Sequence, residues 1–288
     1  MNVSATSLSL QLAAFRAQSF DALLGPSMDF GSIFQAASSS DASSAADKLA
    51  GLTGAGGLSS TGRNTSLFDP ESAFNMMSVI NQKQADYTAQ YSELSDMKSE
   101  VSDIGSAAQA LSSVAASSSN ADVKDALQKF VDDYNAWVKR FDGDMQQGGV
   151  LAGTQAAQVA RWELDQSVEN RFYGVDDGLN GLGSIGITID PKTKLASFDA
   201  AKLDSVLASN RKGVLDTVQE FSAHFSGAAK LLNSAGNFIP NQLNNLGSAL
   251  QYISNNISSW RSEFGTGAPA VASSAQTAKA LAAYRQAA

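Results

Sequence analysis

Few residues in this chain could perform chemistry. It has no cysteine and one histidine, His224, which excludes thiolate sites and disulfides and removes most histidine-based catalytic sets. The segment "GLSSTGRN" at 57–64 has the glycine spacing of a phosphate-binding loop, but Arg63 and Asn64 stand where that loop requires Lys and Ser or Thr. We therefore interpret it as a linker.

Carboxylates and one serine are the remaining candidates. Aspartates cluster at 132–144 and 176–177, but neither cluster has the alternating ligands and closing Glu of a calcium loop. The segment "LGSIG", which contains Ser184, lacks the first glycine of the nucleophile-elbow motif. The sequence predicts no catalytic residue, no metal site and no cofactor, and we expect the protein not to be an enzyme.

Composition narrows the class of protein. The chain has 288 residues and a net charge of −8, which argues against nucleic acid as a partner because such partners need a basic face. The sequence contains no run of eighteen apolar residues, so we expect no segment that inserts into a membrane. The start, "MNVSATSLSLQLAAFRAQ", lacks the basic region and apolar core of a cleaved signal peptide.

Two apolar seams with alternating steps of three and four residues predict long helices that pack as a coiled coil. The first seam contains Tyr87, Tyr91, Leu94, Val101, Ile104 and Leu111. The second contains Leu243, Leu246, Leu250, Ile253, Ile257, Trp260 and Phe264. A lone helix would expose its whole stripe, so each needs a partner. The simplest partner is the other seam of the same chain, parallel or antiparallel; an ordinary coiled-coil hairpin without further role remains an alternative, as does a neighbouring subunit.

Shorter elements lie between the seams. The segment "IGITIDPKTKLASFD" predicts one β-hairpin with its turn at 190–193, followed by a helix capped by Asp199. Trp137, Trp162 and Trp260 all occur at core spacing, which favours packing over ligand stacking. The predicted fold is mainly α: long N- and C-terminal helices form a coiled-coil leg, joined to a small helical domain with one β-hairpin.

The predicted organisation has five parts. They are a mostly disordered N-terminal extension at 1–66, an N-terminal coiled-coil helix at 67–116, a small helical domain at 121–236 with its hairpin at 184–198, a C-terminal coiled-coil helix at 239–264, and a flexible C-terminal tail at 265–288.

An ordered series of motifs carries a family resemblance. "FVDDYNAWVKRF" precedes "GGVLAGTQAAQVARWELDQSV" and then "LGSIGITIDPKTKLASFDAAKLDSVLASN". This series resembles the bacterial flagellar filament cap family, also called flagellar hook-associated protein 2. The matching motif residues are Phe130, Val131, Tyr134, Asn135, Ile185, Gly186, Ile187, Leu195, Asp199 and Leu203. Members of that family typically insert β-rich domains before the first motif, whereas here about six residues, "SSSNAD", occupy that place.

The resemblance implies a structural protein of the bacterial flagellum that guides flagellin polymerisation at the filament tip. It implies export without a cleaved signal peptide, after residence in the cytoplasm. The implied partners are flagellin, other axial subunits and further copies in a ring-like homo-oligomer, for which a pentamer is one candidate; a secretion chaperone is a further candidate. The alternatives are a non-capping accessory or chaperone-like binding module for axial proteins, and a secretion-system tip protein.

Overall fold

The computed structural model describes residues 70–272, so the predicted extension at 1–66 and the end of the predicted tail lie outside the described residues. Within 70–272 there are six α-helices and one two-stranded hairpin. In chain order these are α1 Pro70–Ala110, α2 Asn120–Met145, α3 Gln155–Glu169, β1 Ile187–Ile189, β2 Ala196–Phe198, α4 Ala200–Ser209, α5 Arg211–Leu232 and α6 Phe238–Phe264. The prediction of a mainly α fold with one hairpin is confirmed.

The connection between α1 and α2 is short. A 3-10 turn, Leu111–Ser113, follows α1, and only residues 114–119 separate it from α2. Ser119 and Asp122 form a capping box: the Ser119 hydroxyl accepts from the Asp122 N–H at 3.1 Å, and the Asp122 carboxylate accepts from the Ser119 N–H at 2.8 Å. This cap starts α2 abruptly, and no further domain is inserted at this point.

We define the small domain as α2 to α5 with the hairpin. Its α3 packs against α5, its hairpin against α2, and its α4 against both α2 and α5. Aromatic rings fill the centre, where Phe130 of α2 makes edge-to-face contacts with Phe221 and Phe225 of α5 at centroid distances of 4.9 and 5.2 Å. Tyr173 contacts Phe221 from the loop after α3 at 5.7 Å. These rings form one apolar core under the hairpin.

The hairpin is antiparallel, with Ile187 opposite Phe198 and Ile189 opposite Ala196. Asp190 closes its turn, since the carboxylate accepts from the N–H groups of Lys192 and Thr193 at 2.9 and 2.7 Å. Ile187 is buried and Thr188 is exposed, the alternation expected of a strand with one face on a core.

One expectation from the sequence needs correction. Trp162 does not pack in the core: 60 % of it is exposed. The buried face of α3 carries Ala160 and Leu164. Trp162 is two positions from each of them, which is a rotation of about 200° around the helix, so it lies on the opposite face. Residues 266–271, at the start of the predicted C-terminal tail, are hydrogen-bonded along α1.

Candidate functional site

The paired helices α1 and α6, which we call the leg, run antiparallel within one chain. In the first half of α6, a side chain at Gly247 would meet the Tyr91 ring at 3.6 Å. Just before α6, the Asn233 amide donates to the Lys98 carbonyl at 2.8 Å. After α6, the chain contacts the first turns of α1 at Ser78. Residue numbers therefore decrease along α1 as they increase along α6. The two helices are antiparallel, an orientation that the spacing of the seams had left open.

The structure places the predicted seam residues in two groups. Those that are buried are Tyr87, Leu94, Val101, Ile104, Leu111, Leu243, Leu246, Ile253 and Ile257. Those that are half-buried are Leu250, Trp260 and Phe264. Tyr91 is 41 % exposed because it lies at the edge of the contact, beside the small Gly247. Trp260 packs edge-to-face on Tyr252 at 5.7 Å, a contact within α6 itself.

The partner of α1 changes along its length. Its last turns pack against α5: the Ser222 hydroxyl donates to the Ala108 carbonyl at 2.7 Å, and a side chain on Gly105 would lie 2.7 Å from the Ala229 methyl. Because α1 has 41 residues and α6 has 27, they extend about 61 Å and about 40 Å, so α6 alone does not cover α1. The small domain thus sits on the C-terminal part of α1.

An ionic cluster joins the leg to the small domain. Arg140 of α2 pairs with Glu93 and Asp96 of α1 and with Asp144 of its own helix, the last at 3.1 Å. Burial raises the pKa of Glu93 above its ordinary value, and its hydrogen bond with Arg140 opposes that rise. The cluster therefore links α2 to the middle of α1 through ion pairs.

The motif residues of α2 meet in the small domain. Phe130, Val131 and Tyr134 are buried, and the Tyr134 hydroxyl donates to the Asp165 carboxylate of α3 at 2.8 Å. Arg161 pairs with the same carboxylate at 3.2 Å. Burial, together with the neighbouring Asp165 charge, raises the pKa of Tyr134. The hydroxyl therefore stays protonated and acts as a structural hydrogen-bond donor.

Asn135 binds the hairpin. Its amide donates to the Ala196 carbonyl at 2.8 Å, and its carbonyl oxygen accepts from the Ala196 N–H at 2.7 Å. Before β1, Gly186 has φ +99°, and a side chain there would lie 2.5 Å from the Asp199 carbonyl oxygen. These contacts give physical roles to an asparagine and a glycine of the motif.

The other hairpin motif residues lie around this contact. Ile185, Ile187 and Leu203 are buried, and Leu195 is half-buried. Asp199 occupies the N-cap position of α4, where its carboxylate accepts from the Lys202 N–H at 3.0 Å. The motif residues therefore surround one junction between α2, the hairpin and α4.

Among residues 70–272 no cluster of acidic or histidine side chains could hold a metal ion, and no helix is long and apolar enough to cross a bilayer. A shallow groove beside α3 is lined by Glu163, Phe172 and His224 among others. His224 is exposed there and contacts the Tyr173 ring at 5.6 Å.

Comparison with protein families shows to which family the chain belongs. The family described as flagellar hook-associated protein 2 C-terminus matches residues 106–267, more than half of the chain. The chain belongs to the flagellar hook-associated protein 2 family. Members are filament-cap proteins of the bacterial flagellum, structural proteins that are exported and located at the filament tip. No curated protein and no solved structure matches the chain.

The hook-associated protein 2 match begins in the last turns of α1 and ends just after α6. It includes the whole small domain, and therefore every motif residue on which the resemblance rests. It does not reach the segment of α1 before residue 106.

Sequence reasoning missed two parts of this hook-associated protein 2 leg. The Glu93–Arg140 pair joins residues far apart in sequence, although the Arg140–Asp144 spacing of four on α2 was visible. The second part comprises Ser78, Asn81 and Gln82, which bind the backbone after α6. Polar residues on a helix surface carry no signal of such a contact, so nothing in the sequence pointed to them.

Proposed function

We propose that this protein assembles as a ring-like homo-oligomer at the tip of the flagellar filament and guides the insertion of flagellin there. The family supports a cap-type protein that associates with axial subunits and with itself. The observation that carries the proposal is the antiparallel closure of α1 on α6, which joins a long leg to the small domain.

The surface of the leg supports docking on other helices. Between Phe238 and Trp260, α6 carries no charged residue, and its outward positions are occupied by Asn, Gln and Ser. Uncharged side chains lose less free energy than charged ones when water is removed from them. This face of α6 therefore suits contact with helices of flagellin or of a neighbouring subunit.

Deleting the gene tests the capping function. We expect cells without filaments that release monomeric flagellin into the medium, because subunits that are exported without a cap are not captured at the tip. Re-expression of the intact chain should restore the filaments and stop the release. Normal filaments in the deletion strain would contradict capping and would favour the non-capping accessory.

The oligomeric state of the purified protein tests the ring separately. Light scattering over a range of protein concentrations should give a closed assembly of several copies, with five as the first stoichiometry to examine. A chain that stays strictly monomeric at the highest concentration would contradict the ring.

A further inference from the structure

Residues 265–271, which we call the strap, reverse direction after α6 and lie against the first turns of α1. Gly265 and Gly267 have φ values of +82° and +66°, which favour glycine at this turn. The Ala268 N–H then donates to the Ser78 hydroxyl at 2.7 Å. The Asn81 amide donates to the carbonyls of Thr266 and Ala268, both at 2.8 Å.

A third side chain of α1 completes the site. Gln82 binds the backbone of Val271 twice, accepting from its N–H at 2.9 Å and donating to its carbonyl at 3.0 Å. All the bonds from Ser78, Asn81 and Gln82 to the strap thus involve strap backbone atoms. Such contacts do not depend on the side chains of the bound segment.

One position of the strap is selective. A Cβ on Gly267 would lie 2.6 Å from the Ser78 nitrogen and 2.7 Å from the Met77 Cβ, so no side chain fits without displacing α1. The surface formed by Met77, Ser78, Asn81 and Gln82 is therefore a site for an extended segment with a glycine at that position. The strap is the segment whose fit to this site is observed.

The strap is attached in a way that permits release. Val271 is 72 % exposed, and Thr266 and Pro269 are also exposed, so little apolar surface holds the segment. Its residues carry no charge. The helix α6 ends at Phe264, so the seam that holds the leg together does not include the strap.

We propose that the strap is exchanged between neighbouring copies when the protein assembles, so that residues 266–271 of one copy bind Ser78, Asn81 and Gln82 of the next. A backbone-reading site binds the identical strap of a second copy with the same hydrogen bonds. Because exchange replaces each contact within a copy by the same contact between copies, it loses no hydrogen bonds, and swapping of identical elements is a low-cost route to oligomers. This inference rests on the homo-oligomer of the proposed function.

Mixed single-cysteine variants test the exchange, because the chain has no cysteine of its own. An affinity-tagged Ser78→Cys chain is mixed with an untagged Ala268→Cys chain, assembled, oxidised and resolved on a non-reducing gel. Exchange predicts at least about tenfold more tagged–untagged covalent dimer than homodimer from either variant alone, because contact raises the local thiol concentration. The tag separates the two species by size.

A matched pair controls for random collision. Thr188 and Ser197 face each other across the exposed hairpin with their hydroxyl oxygens 2.9 Å apart, a contact made within one chain. Mixed Thr188→Cys and Ser197→Cys chains should give only background dimer. Adding Gly267→Val to the Ala268→Cys chain should also reduce the 78–268 product to that background, while circular dichroism should show an intact leg.

The outcomes separate the two proposals. An oligomer by light scattering without the 78–268 product, or with no more product than the hairpin pair gives, overturns strap exchange and leaves the ring in place. A failure to form any oligomer overturns the ring and the exchange together.

Discussion

The Asn135 side chain and the Ala196 backbone form a two-bond pair, with N–O distances of 2.8 and 2.7 Å. Ala196 faces Ile189 in the hairpin, at a position where the flanking ladder bonds leave its N–H and C=O pointing away from β1. The amide of α2 therefore takes the place of a third strand. This explains how a helical protein can hold a single two-stranded hairpin in a fixed position.

Removing this pair should loosen the hairpin. We expect Asn135→Ala to lower the free energy of unfolding by about 1–3 kcal/mol, because two partly buried backbone groups lose their partners. Chemical denaturation measures the loss, and hydrogen exchange at the Ala196 amide should be faster. Thr188→Ala, which removes an exposed hydroxyl contact of the same hairpin, should cost less than about 1 kcal/mol. Equal effects of the two variants would contradict the role given to Asn135.

Glycine at 105 should be required by the contact between α1 and α5. A methyl group there would lie 2.7 Å from that of Ala229, so we expect Gly105→Ala to lower the melting temperature despite the better helix propensity of alanine. Gly227 lies on α5 with no atom within 4 Å of an added Cβ, so Gly227→Ala should raise the stability by about 0.5–1 kcal/mol. Melting curves of both variants check the pair, and a stabilised Gly105→Ala would show that the two helices do not touch there.

The leg should depend on the buried side of α6. Ile253 is 5 % exposed, and Ile253→Asp should lower the free energy of unfolding by at least about 3 kcal/mol, since it buries a charge and removes apolar contact. The neighbouring Ser254 is exposed, so Ser254→Asp should change the stability by no more than about 0.5 kcal/mol. Thermal melting followed by circular dichroism compares them. Unchanged melting of Ile253→Asp would show that the seam has been assigned to the wrong face.

Glu93 and Asp122 should show opposite pH dependence. Burial raises the folded-state pKa of Glu93, so its stabilising contribution is full below its unfolded pKa of about 4.3 and is lost as the pH rises through the folded pKa. The stability of the native chain relative to Glu93→Gln should therefore increase as the pH falls from 7 to 4. Hydrogen bonds with Ser119 lower the pKa of Asp122, so the stability of the native chain relative to Asp122→Asn should decrease as the pH falls below about 4.

Denaturant titrations between pH 3 and pH 7 measure both differences on the same set of chains. Parallel pH profiles for the native chain and Glu93→Gln would contradict the desolvated environment of Glu93. The comparison of the native chain with Asp122→Asn checks the opposite pH dependence, because the Asp122 carboxylate lies on the surface in a capping box.

Much of the local structure followed from short-range patterns. Asp190, Pro191 and Thr193 are residues that favour a tight turn, and the hairpin forms there. Alternating steps of three and four residues indicated long helices, and α1 and α6 are the two longest of the described residues. Both signals are local, since they depend on backbone preferences and on which residues share a helix face.

The surroundings of individual side chains were less predictable. Trp162 has the spacing of a core residue along the chain, yet it is exposed because α5 and α6 cover another face of α3. The spacing of apolar residues predicts that a helix has an apolar face. How much of that face is buried depends on the elements that pack against it. For the same reason Tyr91 belongs to the seam and is still 41 % exposed.

The sequence by itself determined the helical class, the hairpin and the ordered motifs of the hook-associated protein 2 family, because each of these depends on residues close together in the chain. Only the tertiary structure decided that α1 pairs antiparallel with α6 and then passes to α5, that Arg140 reaches Glu93, and that residues 266–271 lie on Ser78, Asn81 and Gln82. These contacts join residues up to 190 positions apart. Their formation depends on where the chain reverses and on the relative lengths of the helices, which the spacing of residues within one helix does not specify.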